Sequence, residues 1–138
     1  MGGAVIVWDR ERCATWARDR IDGIESWSDW YQAFGWETNG KIVAAVVYTN
    51  FSGSDIWMHC AIDCKGKWLT RGALKAAFRY PFVQLGCRRV TGLVATKNEA
   101  SRHWMQRVGF AYEGLRRDAL PDDDELMFGM LRKECRWL

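Results

Sequence analysis

The chain has 138 residues, of which 49% are hydrophobic and 27% charged, with a formal net charge of +3. That length suits one domain around a single sizeable core, and nine tryptophans argue against disorder. The charge is too small and scattered to imply a phosphate-tracking surface by itself, but it leaves room for an anionic cofactor.

Cys13, Cys60, Cys64, Cys87 and Cys135 are odd in number and lack C-x-x-C spacing. This pattern fits neither a disulfide framework nor a zinc ribbon, so reduced thiols and a cytoplasmic location are expected. Residues 1–7 lack the basic region and long apolar run of a signal peptide, and no segment approaches the length of a membrane span. No membrane association is expected.

In chain order, residues 5–8 form a short apolar strand, and Asp9 caps a helix with Cys13, Trp16, Ala17 and Ile21 at helical spacing. Residues 25–30 are either a short helix or an ordered loop. Residues 31–38 and 42–50 are aromatic and β-branched runs flanking Asn39-Gly40, a pair suited to a tight hairpin turn. After Ser52-Gly53-Ser54 a third run, 56–62, completes an antiparallel meander. Residues 69–80 place Leu69, Ala73, Ala76, Ala77 and Tyr80 on one helical face, with Pro81 expected to stop the helix.

Residues 89–96 are apolar on both faces, as in a central strand, with Gly92 permitting a close approach. Asn98 caps another helix, whose inward stripe is Ala100, Trp104, Met105 and Val108 and whose end is Gly109. Residues 110–115 and 126–131 form a last strand pair joined through the acidic Pro121-Asp122-Asp123-Asp124. The order predicts a single α/β domain over residues 1–138, with a mixed, mostly antiparallel sheet of about six or seven strands flanked by helices.

Within this order, Asn98-Glu99-Ala100-Ser101 followed by Gly109-Phe110-Ala111-Tyr112-Glu113-Gly114-Leu115-Arg116 resembles the N-x-x-S and G-F-x-x-E-G-x-x-R motifs of the GNAT acyltransferases. Within that superfamily the pattern is most similar to the branch of ribosomal-protein N-terminal acetyltransferases. The small size and dense tryptophan content also resemble GNAT proteins carried by tailed phages. The family's loop motif, Q/R-x-x-G-x-G/A, falls on Lys65-Gly66-Lys67-Trp68-Leu69-Thr70, where Trp68 and Thr70 replace the two small residues. A helix start offers unpaired N–H donors and partial positive charge, to which Lys65, Lys67 and Arg71 add cations.

The resemblance implies transfer of an acetyl group from acetyl-CoA directly to a primary amine on a protein N-terminus, a lysine or a small molecule. It also implies that Lys65, Gly66, Lys67, Trp68, Thr70, Arg71, Asn98 and Ser101 meet CoA, and that a splayed strand at 56–62 binds the donor through backbone groups of Cys60 and Ile62. His59, on that strand, is a candidate general base with an ordinary pKa near 6.5, set against a plain hydrogen-bonded sheet histidine. Glu37 and Asp63 are further carboxylate candidates, whereas His103 is expected to face solvent. Where many relatives carry a proton-donating tyrosine, this chain has Met105.

Trp27, Trp30 and Trp36 read as core or ring-packing residues, and Cys60 and Cys64 carry no metal-ligand partners at suitable spacing. No metal is therefore expected. Three functions compete: an active N-acetyltransferase, a non-catalytic protein of the same fold that binds a macromolecular partner, and a nucleic-acid binder using Arg88, Arg89, Arg116 and Arg117. Nucleic acid is the weakest of these. Trp137-Leu138 either packs on its own sheet or buries against a second subunit in a homodimer.

Overall fold

A computed structural model describes residues 4–21, 23–63 and 70–138. Among these, seven strands form one sheet in the order β1-β2-β3-β4-β5-β7-β6. The strands are β1 Val5–Val7, β2 Gln32–Thr38, β3 Lys41–Thr49, β4 Trp57–Ile62, β5 Arg89–Ala95, β6 Ala111–Leu120 and β7 Asp123–Leu131. Helices α1 Arg10–Arg18, α2 Arg71–Arg79 and α3 Glu99–Val108 follow β1, β4 and β5 respectively. Every strand pair is antiparallel except β4 with β5.

The β2–β3 turn forms where Asn39-Gly40 predicts it, with φ of 53° and 77° at the two residues. Positive φ at both central positions matches the twist of the strands they join. Residues 25–30 settle as irregular chain rather than helix. Alternation along the strands then divides the core. Phe34, Val46, Tyr48, Met58, Val90 and Phe128 face α2 and α3, whereas Ala33, Ala45, Val47 and Ala61 face Cys13, Ala14 and Ala17 of α1.

Three helix expectations need correction. Pro81 does not end the helical path: Tyr80–Gln84 continues as one π-helical turn, with the Leu85 N–H donating to the Tyr80 carbonyl at 3.0 Å. A proline within a helix deprives the carbonyl four residues earlier of its donor. Here that carbonyl is Ala77, and the buried Tyr48 hydroxyl donates to it instead. In α3, Met105 and Val108 are buried and Trp104 is half-buried, but Ala100 is exposed in the first turn. The apolar stripe therefore starts one turn later than its spacing suggests. Ile21 likewise lies past the end of α1.

Met105 lies directly over Gly92, its Cε occupying the position of an added Cβ. Close packing there sets the height of α3 above β5. Gly92→Ala should therefore overpack a buried contact and lower stability by about 1–3 kcal/mol, read as a lower urea midpoint. An unchanged midpoint would mean that Met105 relocates freely.

Candidate active site

β4 and β5 pair only through Trp57 with Thr91 and Met58 with Gly92, and beyond that point the two parallel strands diverge. The Ile56 carbonyl accepts from the Thr91 N–H at 2.9 Å, whereas the Asp63 N–H donates to Val43 of β3 at 2.7 Å. Backbone groups of a strand alternate between its two edges. Cys60 and Ile62 therefore direct their N–H and C=O groups toward β5, past the end of the ladder. Their side chains, with Met58, line a hollow of almost wholly apolar surface completed by Ala73, Leu74 and Trp104.

Helices follow both diverging strands. Thr70 caps α2, its hydroxyl accepting from the Ala73 N–H at 3.1 Å, and Asn98 caps α3, its Oδ1 accepting from the Ser101 N–H at 3.0 Å. Short polar side chains at these positions satisfy one helix-end donor and leave others unbonded. Arg71 sends its guanidinium to the Arg136 carbonyl at 3.2 Å and over the Trp137 ring. Trp137 in turn donates to the Val108 carbonyl at 2.8 Å, so the C-terminal segment packs on its own chain. Lys65, Gly66, Lys67 and Trp68 lie outside the described residues, as does Cys64.

His59 points to the opposite face from Cys60. Its Nε2 is 2.9 Å from Thr49 Oγ1, and its ring packs against Trp27 at 5.2 Å. Burial favours the neutral imidazole and pushes its pKa down from 6.5 to about 4. That corrects the expectation of a base poised near neutrality. Moving a proton from an ammonium of pKa about 10.4 to a group of pKa about 4 costs about 9 kcal/mol, against about 4 to 5 for release to solvent at pH 7. His59 is thus a neutral hydrogen-bonding group and a poor proton acceptor.

Other candidates separate clearly. Glu37 pairs with Arg12 at 2.9 Å on β2, two strands from the divergence, so it is removed from the site. Asp63 directly follows β4 and borders a wider hollow of about 900 Å³ between α1 and the β2–β3 hairpin, away from the apolar slot. His103 is exposed. Trp36 is buried in the core, and Trp30 stacks near Phe51. Among the described residues, no His, Cys, Asp and Glu group could hold a metal ion.

Of the four arginines considered for nucleic acid, Arg89 pairs with Glu113 at 2.7 Å and Arg116 with Glu125 at 2.6 Å. The sequence reading missed Thr49 as the partner of His59, because the register Val47↔His59 that brings them together depends on the loop at 50–56. It also missed the place of Trp104 over the gap and of Glu125 beside the end of β5. Glu125 faces Ala95 and Arg116 across the ladders, and burial raises its pKa although Arg116 opposes the shift.

No family model and no curated protein matches the chain. Solved structures do. A probable acetyltransferase is 25% identical at a TM-score of 0.66, the match covering 75% of this chain and 63% of that one. A mutant form of the spermidine N-acetyltransferase from Vibrio cholerae is 14% identical at 0.73, covering 94% of each chain. An acetyltransferase of the GNAT family from Bacillus anthracis is 20% identical at 0.61, covering 74% of this chain and 67% of that one. This chain therefore spans less than two thirds of the first of these proteins, and its sheet and helices have the GNAT fold. No helix among the described residues is long and apolar enough to cross a membrane.

The depressed pKa of His59 has a sign that can be checked. A group whose folded pKa lies below its unfolded value contributes stability above the unfolded value and loses it as pH falls. From pH 6.5 toward about 4, wild type should lose up to about 3 kcal/mol that His59→Gln does not lose, because glutamine does not titrate. Parallel melting curves for the two proteins across this window would contradict the assignment.

Proposed function

We propose that the protein transfers an acetyl group from acetyl-CoA directly to a primary amine. The observation that carries this reading is the two-residue pairing of β4 with β5, which leaves Cys60 and Ile62 as a backbone edge beside an apolar slot. A thioester carbonyl needs a donor such as the N–H of that edge, and the amide-bearing pantetheine arm needs alternating donors and acceptors. The α2 start, with Thr70, Arg71 and the preceding Lys65, Gly66, Lys67 and Trp68, is our assignment for the CoA phosphates. Asn98 and Ser101 are assigned to the same ligand.

The acceptor enters from the His59 face, where Trp57, Glu125 and Arg116 border the gap. The ammonium loses a proton to solvent, the free amine attacks the thioester carbon so that an N–C bond forms as the C–S bond breaks, and the nitrogen gives up its second proton to solvent. The leaving thiolate takes up a proton through solvent; the thioether of Met105 has none to give, and a thiol of ordinary pKa about 8.5 leaves without help near neutrality. Orientation in the slot is worth about 7–11 kcal/mol, enough to offset amine deprotonation. His59 then acts as a positioning residue, holding the β4 edge through Thr49.

The acceptor class spans protein N-termini, lysine side chains and small amines; the neighbouring spermidine acetyltransferase supports the last of these. A ribosomal-protein or phage role, a cytoplasmic setting and a homodimer belong to this proposal as well. Met105 is the specific observation for a second reading, a non-catalytic scaffold bound to a macromolecule.

Calorimetry tests the donor site. Acetyl-CoA should bind with a Kd of about micromolar order, and Lys65→Ala with Asn98→Ala should weaken it at least about tenfold, since both remove interactions with an anion. Absence of wild-type binding would leave the scaffold reading. Where turnover is found with a lysine-like amine of pKa about 10.4, kcat/KM should climb with pH toward the acceptor's own pKa without an inflection between pH 5 and 8. A break near 6.5 would restore a basic histidine.

A further inference from the structure

We infer that the indole N–H of Trp104 is a hydrogen-bond donor to an amide carbonyl of the pantetheine arm, and so a binding residue for the acyl donor; this rests on the acetyl-CoA reading above. The Trp104 Nε1 is buried and has no hydrogen-bond partner among the described residues. Buried indole nitrogens ordinarily find one, because an unmet donor costs about 1–3 kcal/mol. A plain packing role would not select tryptophan here, since phenylalanine fills such a position without an unmet N–H.

The position of the ring supplies the missing acceptor. α3 belongs to the β5 side of the divergence, where Met105 lies over Gly92. Trp104, the preceding residue, lines the slot with Met58, Cys60 and Ile62 of β4 and with Leu74 of α2. Its ring therefore reaches from the β5 side to the β4 side, across the opening that the strand edge borders. None of the side chains that line the slot carries an oxygen acceptor.

The hollow is narrow, about 20 Å³, so a ligand that enters must part its walls and be slender, mostly apolar and punctuated by carbonyls. Pantetheine, two secondary amides on short alkyl links, has that chemistry. One amide pairs with the Cys60 and Ile62 edge and another accepts from Trp104 on the opposite wall. A nucleotide alone lacks the amides, and an alkyl chain alone would leave the Nε1 unmet.

Trp104→Phe removes the N–H and keeps most of the ring. Calorimetric titration of this variant with acetyl-CoA should show affinity reduced about tenfold, the weight of one buried hydrogen bond. Affinity for adenosine 3′,5′-bisphosphate, which has no pantetheine, should stay within about twofold of wild type, the size of a neutral substitution. Unchanged acetyl-CoA affinity, or equal loss for both ligands, would overturn the assignment. Wild type failing to bind acetyl-CoA would instead remove the donor reading, and this inference with it. Should the variant not fold, the wild-type protein gives an independent readout: the Trp104 indole ¹⁵N–¹H resonance should move downfield with acetyl-CoA and not with the bisphosphate, and a stationary resonance would overturn the proposal.

Discussion

A parallel strand pair that stops after two residues is the constraint on which the rest of the molecule depends. Strand backbones carry a donor and an acceptor at every second residue along each edge, and a sheet normally consumes them. β4 remains paired with β3 along its whole length, so it stays straight and ordered. Its other edge loses β5 after Met58. The result is a rigid row of polar groups in the middle of a sheet, where water would otherwise be excluded by a neighbour.

The packing on one face maintains that divergence. Gly92 lets Met105 lie close to β5, and α3 then tilts Trp104 over the opening, while Ala73 and Ala77 keep α2 close to β3 and β4. Tyr48 links the layers, because its hydroxyl supplies the donor that Pro81 denies the Ala77 carbonyl. Helix and sheet are thereby joined by a polar bond in a core that is otherwise apolar. On the other face α1 packs over β2 and β3, with Ala61 of β4 in the same cluster, and Gly35 admits the Cys13 sulfur; an added Cβ would lie 3.0 Å from it.

The sequence made the element order readable because its signals are local. Asn39-Gly40, the caps Asp9 and Asn98, and the terminator Gly109 each act within a few residues of themselves. What escaped the reading depends on distant partners. Pro81 continues a helical path because Tyr48, 33 positions earlier in the chain, compensates its missing donor. His59 loses basicity through burial in the fold, beside Trp27 and Thr49, neither of which lies next to it in sequence. Cys60 and Ile62 were proposed through resemblance, while the alternation that aims their backbone groups at the gap follows from register alone. Nothing local in Trp104 marks a donor without an acceptor, since that is a property of its surroundings.

Gly129 bears on what lies over the β5, β7 and β6 half of the sheet. A side chain there would collide with Arg89 and Glu113, whose ion pair lies flat across β5, β7 and β6, with Asp55 and Thr91 completing the cluster. A sheet face without a helix over it is ordinarily a sticky surface for a second sheet. The missing Cβ lets long charged side chains lie down as a removable polar sheath, one that repels an apolar partner without filling the space above the strands. This outer half of the sheet thus carries a polar layer built from its own strands, where a packed helix would have required an apolar one.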